Sequence, residues 1–418
     1  MVKHRVFKFK SAKENKLLVW IPTLYNLYVT ELRYAKDIPC IIEDETEFQA
    51  KKEIKECLYS FSSCTLILTT RCNLSCLYCY EKGNALKHQN MTEKTAFAAI
   101  NYIIDWATKL NKIASISFFG GEPTLNWIIL KKATDYFKRK ALENNCRGLT
   151  RITTNGCMTI NKAKWLANNI DNITVSMDGY KEIHDWQRDN SFNLSFRTAK
   201  VIYDIMPPKI SFRVTVTEKN VQSLPMITLF LAKEFPNCII NFEPVESSIR
   251  NDCLDLAVDY SLFFNRFLES VPVAASLGAK IRTSVSMIGS AKNRFCGIGD
   301  SNFMILPDGR ILACNRMIGE DSISDIFCYG YFKEEEEEFV FDDKKYNFLQ
   351  ELTVDNIQAC KDCVARFSCR GDCPATKAVV YKNGFEQKTS PYCKEIQEFT
   401  KNLLEYIAQN GTDGLAIK

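Results

Sequence analysis

Polar and apolar residues alternate over Val6–Lys10, and denser apolar runs follow at Leu17–Ile21 and Leu27–Val29. Period-two alternation and β-rich runs predict strands, with the polar segment 11–15 as a hairpin turn. Thr46 to Leu58 has helical spacing, with Thr46 as its N-cap. From Cys64 the pattern changes. Strand-like runs occur at Thr65–Thr69, Ser115–Phe119, Arg151–Thr154, Ile173–Ser176, Ile210–Thr217 and Ile239–Phe242. Helical patterns separate them, near Thr92–Lys109, Trp127–Leu142, Lys162–Asn168, Phe196–Ile205 and Leu224–Glu234, and Asp255–Val271 follows the sixth strand. This alternation predicts a parallel sheet with ligand sites at the carboxyl ends of its strands. From residue 277 the alternation stops. The acidic run Glu334–Glu338 reads as a solvated loop. Residues 394–418 read as an amphipathic helix and a polar, frayed tail.

The 418 residues are 46% hydrophobic and 25% charged, an ordinary globular balance. The length suggests two or three domains. The net charge of +4 comes from interspersed signs. No basic stripe interleaved with aromatics stands out, so no nucleic-acid partner is expected. Met1–Lys8 lacks the apolar core of a secretory signal, and no apolar run reaches membrane-span length. A cytoplasmic protein with no membrane partner is expected. Eighteen cysteines against three histidines (His4, His88 and His184) sharpen the picture. With no secretory signal, a disulfide framework is not expected. Thiolate-only iron–sulfur sites suit the count better than mixed Cys/His zinc sites.

Cys72, Cys76 and Cys79 form Cys-x3-Cys-x2-Cys directly after the apolar run Leu66–Leu68. Structural zinc sites and ferredoxin-type clusters close their shells with four ligands. Three thiolates leave one iron open to a non-protein group. The bland alternative is three buried, reduced cysteines, since cysteine is among the most buried residue types. With Tyr78 before the last cysteine, the loop resembles the radical S-adenosylmethionine (SAM) superfamily, whose signature is Cys-x3-Cys-x-aromatic-Cys. The resemblance implies a 4Fe–4S cluster on Cys72, Cys76 and Cys79. It implies that the open iron is chelated by the amino and carboxylate groups of SAM, with Tyr78 near the adenine. The implied fold class is α/β, a partial (β/α)6 TIM-like barrel with a small N-terminal β-containing flap and a cysteine-rich C-terminal domain.

Later loops match the same family. Gly120-Gly121-Glu122-Pro123 corresponds to its Gly-Gly-Glu-Pro motif, whose backbone and glutamate hold the SAM amino group; read alone, it is an ordinary turn. Thr153-Thr154-Asn155-Gly156 and Val175–Gly179 resemble loops near the cofactor, with Ser176 as a ribose contact and Asp178 as a supporting acceptor. His184-Asp185-Trp186-Gln187-Arg188 matches a His-Asp-x-x-Arg stretch of peptide-modifying relatives. The resemblance gives Arg188 to the SAM carboxylate, which suits a guanidinium fork. The bland reading of Arg188 is a helix-capping surface charge. His184 reads as structural. Arg213 and Thr215 are expected to face the barrel interior.

Seven further cysteines run Cys296, Cys314, Cys360, Cys363, Cys369, Cys373 and Cys393, with Gly309 between the first two and Pro374 after the sixth. All seven positions resemble the SPASM extension of radical SAM enzymes that modify peptides and proteins. The resemblance assigns Cys360, Cys363, Cys369 and Cys393 to an outer 4Fe–4S cluster and Cys296, Cys314 and Cys373 to an inner one, three clusters in all. The upstream stretch 283–287 has no extra cysteine, so the inner cluster has an open iron or an unnamed ligand, Cys328 being the nearest unassigned cysteine. The implied organisation is an N-terminal flap or substrate-binding region (1–62), the radical SAM core (63–276), a bridging and SPASM region (277–395) and a C-terminal helix and tail (396–418). The flap reads either as a cap or as an edge pairing with an extended peptide.

The implied activity is reductive cleavage of SAM to a 5′-deoxyadenosyl radical that takes a hydrogen atom from a ribosomally made precursor peptide or a protein. A crosslink or another modification results. An external donor such as flavodoxin or ferredoxin supplies the electron. Two alternatives stand beside it. An anaerobic sulfatase maturase carries an aspartate after the second SPASM cysteine, where this chain has Asn315, which is no general base. A non-catalytic iron–sulfur electron carrier needs neither the glycine loop nor Arg188.

Overall fold

The computed structural model describes residues 2–10, 16–22, 26–44, 58–80, 88–245, 256–289 and 292–417. The expected turn at 11–15, nearly all of the expected helix Thr46–Leu58, and Cys57 and Cys253 lie outside the described residues. At the N-terminus β1 (Val2–Arg5) pairs antiparallel with β5 (Ile41–Asp44). β2 (Phe7–Lys10), β3 (Lys16–Ile21) and β4 (Asn26–Glu31) form an antiparallel sheet. The central strand β3 uses both faces. Leu17, Val19 and Ile21 pack with Val6 in a small cluster of their own. Trp20, on the opposite face, enters the main core, and its Nε1 donates to the Val364 carbonyl at 3.1 Å. The flap is thus docked on the C-terminal region, which supports the capping role.

The six expected barrel strands are present and parallel, in chain order: β6 (Ser63–Thr69), β7 (Ala114–Gly120), β8 (Gly148–Thr154), β9 (Asn172–Ser176), β10 (Ile210–Val216) and β11 (Ile239–Pro244). Their connections are α1 (Glu93–Lys109), α2 (Trp127–Glu143), α3 (Ile160–Asn169), the consecutive pair α4 (Lys181–Gln187) and α5 (Phe192–Ile205), and α6 (Leu224–Glu234). α7 (Tyr260–Ser276) follows β11. Helix α1 shows why the pattern folds this way. Thr92 caps it by accepting from the Thr95 amide, and Ala96, Ile100, Ile103 and Ala107 form one buried stripe against the sheet.

The sheet does not stop at six strands. β12 (Lys280–Arg282) adds in parallel to β11. On the far edge β13 (Met304–Ile305) adds in parallel to β6, and β14 (Arg310–Leu312), β15 (Cys328–Lys333) and β16 (Glu338–Phe341) continue antiparallel. The described residues therefore hold one sheet of eleven strands. Strands of two or three residues carry no readable period, so the sequence hides them. The cysteine-rich region continues through α8 (Ser322–Ile326), α9 (Asp343–Gln350), α10 (Arg366–Cys369), α11 (Pro374–Tyr381) and α12 (Cys393–Asn410). Tyr392 stacks on Tyr260 at 3.7 Å and Phe399 on Phe264 at 4.1 Å, fastening α12 to α7.

Two expectations fail here. The tail is not frayed over its described residues: the Ile281 amide donates to the Gly414 carbonyl and the Ala416 amide to the Ile281 carbonyl, so the segment borders β12. Nor is the acidic run wholly solvated. Glu334 accepts from the Thr92 and Thr95 hydroxyls at 3.0 and 2.9 Å, and Glu337 pairs with Lys94 at 3.1 Å. The turn between β15 and β16 thereby adds negative charge at the N-terminus of α1.

Candidate active site

The cysteine loop leaves the end of β6 and is held by the loop after β7. The Gly121 amide donates to the Thr69 carbonyl at 3.0 Å and the Glu122 amide to the Arg71 carbonyl at 2.8 Å. A methyl group on Gly120, whose φ is +136°, would lie 2.3 Å from the Thr69 carbonyl oxygen; on Gly121 it would lie 2.4 Å from that of Arg71. The close approach these glycines permit is to the cysteine loop itself. Glu122, fully buried, caps the turn that Pro123 opens. One carboxylate oxygen accepts from the Thr124 amide and hydroxyl (3.1 and 2.7 Å) and the Thr154 hydroxyl (2.9 Å); the other accepts from the Asn155 amide (2.8 Å). Burial pushes this carboxyl up, against the pull of those hydrogen bonds. Glu122 thus stitches the loops after β7 and β8 together, a role the motif alone did not reveal.

Asn155 continues the chain of contacts, donating to Asn73 Oδ1 at 2.8 Å, while Asn73 donates to the Cys157 carbonyl at 3.1 Å. On the other side Asp189 accepts from the Ser75 amide at 3.1 Å, and the Gln187 carbonyl accepts from the Leu77 amide at 3.0 Å. The loop is therefore suspended between β8 and the end of α4. Asn73, Asp189 and Gln187 had no separable signal in the sequence, because their partners are distant in the chain.

Tyr78, Asp178 and Arg188 meet. The Tyr78 hydroxyl donates to Asp178 Oδ2 at 2.5 Å and accepts from Arg188 Nη1. Asp178 also accepts from Gln187 Nε2 at 3.0 Å and from the Thr215 amide at 2.8 Å, and lies 3.8 Å from Arg188. Arg188 follows α4 in the chain but is only 7% exposed, which removes the surface-charge reading. Burial opposes its charge, yet Tyr78 and Asp178 hold it firmly protonated. Its Nε is buried with no hydrogen-bond partner among the described residues. A buried charged donor left open is costly and fits an anionic ligand.

His184 is structural, as expected. It is buried, with Nδ1 toward the Asp178 amide (3.3 Å) and Nε2 toward Ser191 Oγ (3.0 Å). Burial lowers its pKa from 6.5 to about 4. The unfolded chain then gains a proton below pH 6.5 that the folded chain refuses. Stability falls as pH drops from 6.5 toward 4, by roughly 2 kcal/mol at pH 5. Urea unfolding at pH 7 and pH 5 should show this loss, and His184→Gln should flatten it.

Ser176, Arg188, Arg213 and Thr215 line one cavity of about 650 Å³, together with Tyr78, Asn241 and Arg282. Cys296, Cys314 and Cys373 line the same cavity from the C-terminal region. Cys360, Cys363, Cys369 and Cys393 border a separate, small pocket. The seven later cysteines thus line two separate pockets, three in one and four in the other. Cys328 joins neither set. It is buried in an apolar cluster with Ile67, Leu306, Leu312 and Ile318, its thiol 3.8 Å from the Gly330 carbonyl. Asn315 lines the cavity and donates to the Tyr80 hydroxyl at 3.1 Å.

Burial pushes the thiols of Cys76 and Cys360 up to about 11 and that of Cys314 to about 12. Such thiols become good ligands only when a cationic centre stabilises their thiolates. Among the described residues no three cysteine, histidine or carboxylate side chains gather tightly enough for a single metal ion. Cys72 lies in the electrostatic field of Cys76 and Cys79, Cys296 in that of Cys314 and Cys373, and Cys369 in that of Cys360, Cys363 and Cys393, and such all-thiol donor sets suit iron–sulfur clusters, whose thiolates sit on separate irons.

Residues 66–231 match the radical SAM superfamily model. A cysteine-type anaerobic sulfatase-maturating enzyme of Clostridium novyi is 25% identical over 376 residues, 82% of this chain and 95% of that protein. An uncharacterized protein of Methanocaldococcus jannaschii is 33% identical over 171 residues, 40% of this chain and only 57% of its own length. Among solved structures, native anSMEcpe with bound AdoMet and Cp18Cys peptide shares the fold (TM-score 0.67, 20% identity, 83% of this chain and 99% of that one). So does Streptococcus suis SuiB bound to precursor peptide SuiA (TM-score 0.57, 14% identity, 91% and 97%). No helix among the described residues is long and apolar enough to cross a membrane. With its three-cysteine loop at the mouth of a parallel partial barrel, the chain is an enzyme that carries a radical SAM domain over residues 66–231, a domain whose chemistry uses SAM and a 4Fe–4S cluster.

Proposed function

We propose that this enzyme modifies a peptide or protein substrate inside the barrel cavity. The observation that carries the reading is the shared cavity: Tyr78, Ser176 and Arg188 line one part and Cys296, Cys314 and Cys373 another. Cys72, Cys76 and Cys79 would hold the first cluster, which when bound and reduced would supply the electron for SAM cleavage and so the radical chemistry that takes a hydrogen atom from substrate. The chain's own work is placement. Arg188 offers its open Nε to the SAM carboxylate, Tyr78 and Asp178 fix that guanidinium, and Ser176 presents a hydroxyl to the ribose. Gly120, Gly121, Glu122 and Pro123 hold the cysteine loop in register and border the SAM amino group. The surrounding wall excludes water from reactive species. Two auxiliary clusters, on Cys360, Cys363, Cys369 and Cys393 and on Cys296, Cys314 and Cys373, complete the set, and an external one-electron donor drives the first.

Two peptide-bound structural neighbours, with Cp18Cys and SuiA, support a polypeptide substrate. The sulfatase-maturase reading draws on the relative from Clostridium novyi. It is the weaker one, because Asn315 can donate to Tyr80 but cannot accept a substrate proton at neutral pH. Anaerobically reconstituted protein should bind about twelve irons and, with dithionite and SAM, release 5′-deoxyadenosine. A peptide encoded beside the gene, co-expressed with the enzyme, should lose hydrogen atoms by mass spectrometry. Iron binding near four per chain, or no SAM cleavage, would overturn the reading.

A further inference from the structure

The cavity wall carries more positive charge than SAM and the clusters call for. Its lining includes Arg188, Arg213, Arg282, Arg316 and Arg370 and, among the described residues, a single carboxylate, Glu243. Four of these arginines are engaged. Arg188 holds Tyr78 and Asp178. Arg316 reaches Cys373 Sγ at 3.4 Å and Thr376 Oγ1 at 3.3 Å. Arg370 donates from Nε to the Phe367 carbonyl at 3.0 Å. Arg282 donates to Asn241 Oδ1 and lies in the field of Glu243, whose oxygens accept from the Ser284 amide and hydroxyl.

Arg213 differs. It sits mid-strand on β10, exposed to the cavity, with no hydrogen bond or ion pair among the described residues. Strand register explains its direction. Ser176, Arg213, Asn241 and Arg282 are successive Cα partners across β9, β10, β11 and β12, so they form one row on the inner face. Val214 and Phe212, its neighbours in sequence, are fully buried in the core. Arg213 and Arg282 repel one another across Asn241, with Glu243 as their sole local counter-charge among the lining residues described. A guanidinium held among cavity walls with no partner is a fork awaiting a planar anion.

We propose that Arg213, backed by Arg282, is a specificity-determining residue that binds a carboxylate of the substrate polypeptide: an Asp or Glu side chain, or a free C-terminus. This rests on the peptide-modifying reading and names the chemistry of the segment that enters the cavity. Arg213 acts on binding, ahead of any radical step.

The test uses the reconstituted, SAM-loaded protein and a synthetic library of randomised nine-residue peptides, prepared with free and with amidated C-termini. Bound peptides are sequenced by mass spectrometry. Wild-type protein should enrich Asp or Glu at one position at least tenfold in both forms; enrichment confined to the free-acid form identifies the C-terminal carboxylate instead. Arg213→Met should lose the enrichment, with Arg213→Lys intermediate, while iron content and SAM affinity stay unchanged. Three results would sink the proposal: no carboxylate preference in wild type, the same preference in Arg213→Met, or a tenfold loss of SAM affinity in Arg213→Met. The last would place Arg213 on SAM. Because the readout is binding, a failure here leaves 5′-deoxyadenosine release, and the peptide-modifying reading with it, standing or falling separately.

Discussion

Cys76→Ala should abolish 5′-deoxyadenosine release, a fall of at least a thousandfold, or roughly 4 kcal/mol in the barrier. Cys76 is the most enclosed of the three loop thiols, only 8% exposed. On the proposed assignment, two remaining thiolates could not keep a cluster whose fourth iron is reserved for SAM. The variant should retain about eight of about twelve irons, since the other two cysteine sets are untouched. Cys328→Ala is the matched control. It removes an equally buried thiol, but one set in an apolar cluster, and should keep all its iron and its SAM cleavage. Iron analysis alongside chromatographic quantification of 5′-deoxyadenosine separates the two variants. Full SAM cleavage by Cys76→Ala would refute the assignment of the first cluster.

Gly121→Ala should also be damaging, although it removes no ligand. The added methyl meets the Arg71 carbonyl oxygen at 2.4 Å and its carbon at 2.6 Å, both backbone atoms that cannot rotate away. Either the cysteine loop or the loop after β7 must move. Moving the latter breaks the hydrogen bond from the Glu122 amide to Arg71 and loosens the carboxylate that ties Thr124, Thr154 and Asn155 together. The overpacking alone costs about 1–3 kcal/mol. The expected phenotype is a folded protein with a labile first cluster and at least a tenfold loss of SAM cleavage, seen as faster iron release to a chelator. Chelation kinetics equal to wild type would show that the loops tolerate the shift.

Much of the fold could be read from pattern. The six barrel strands and five of the helices between them recur near their expected ends because each is a long, strongly periodic segment with caps such as Thr92 and Thr159. Beyond residue 277 only α12 (Cys393–Asn410) could be read in this way, from its amphipathic pattern. β12, β13 and β14 are two or three residues long and are defined by their pairing, β12 and β13 with the barrel-edge strands β11 and β6 and β14 with β13 and β15. The same holds for the tail, where Gly414 and Ala416 bond to Ile281. The acidic run looked solvated because its partners, Thr92, Thr95 and Lys94, are far off in the chain.

The sequence by itself carried the proposed chemistry: cysteine spacing is a local property, and three and seven cysteines in fixed order are what the proposed donor sets rest on. It also determined the α/β class, because hydrophobic period is local. Only the tertiary structure decided how the parts meet. It split the later cysteines between the main cavity and a second pocket. It turned Glu122 inward to its own loops and buried Arg188 against Tyr78 and Asp178. It left Arg213 facing the cavity without a partner among the described residues. Burial, register and unmet hydrogen bonds arise from contacts between residues distant in the chain, which no local pattern encodes.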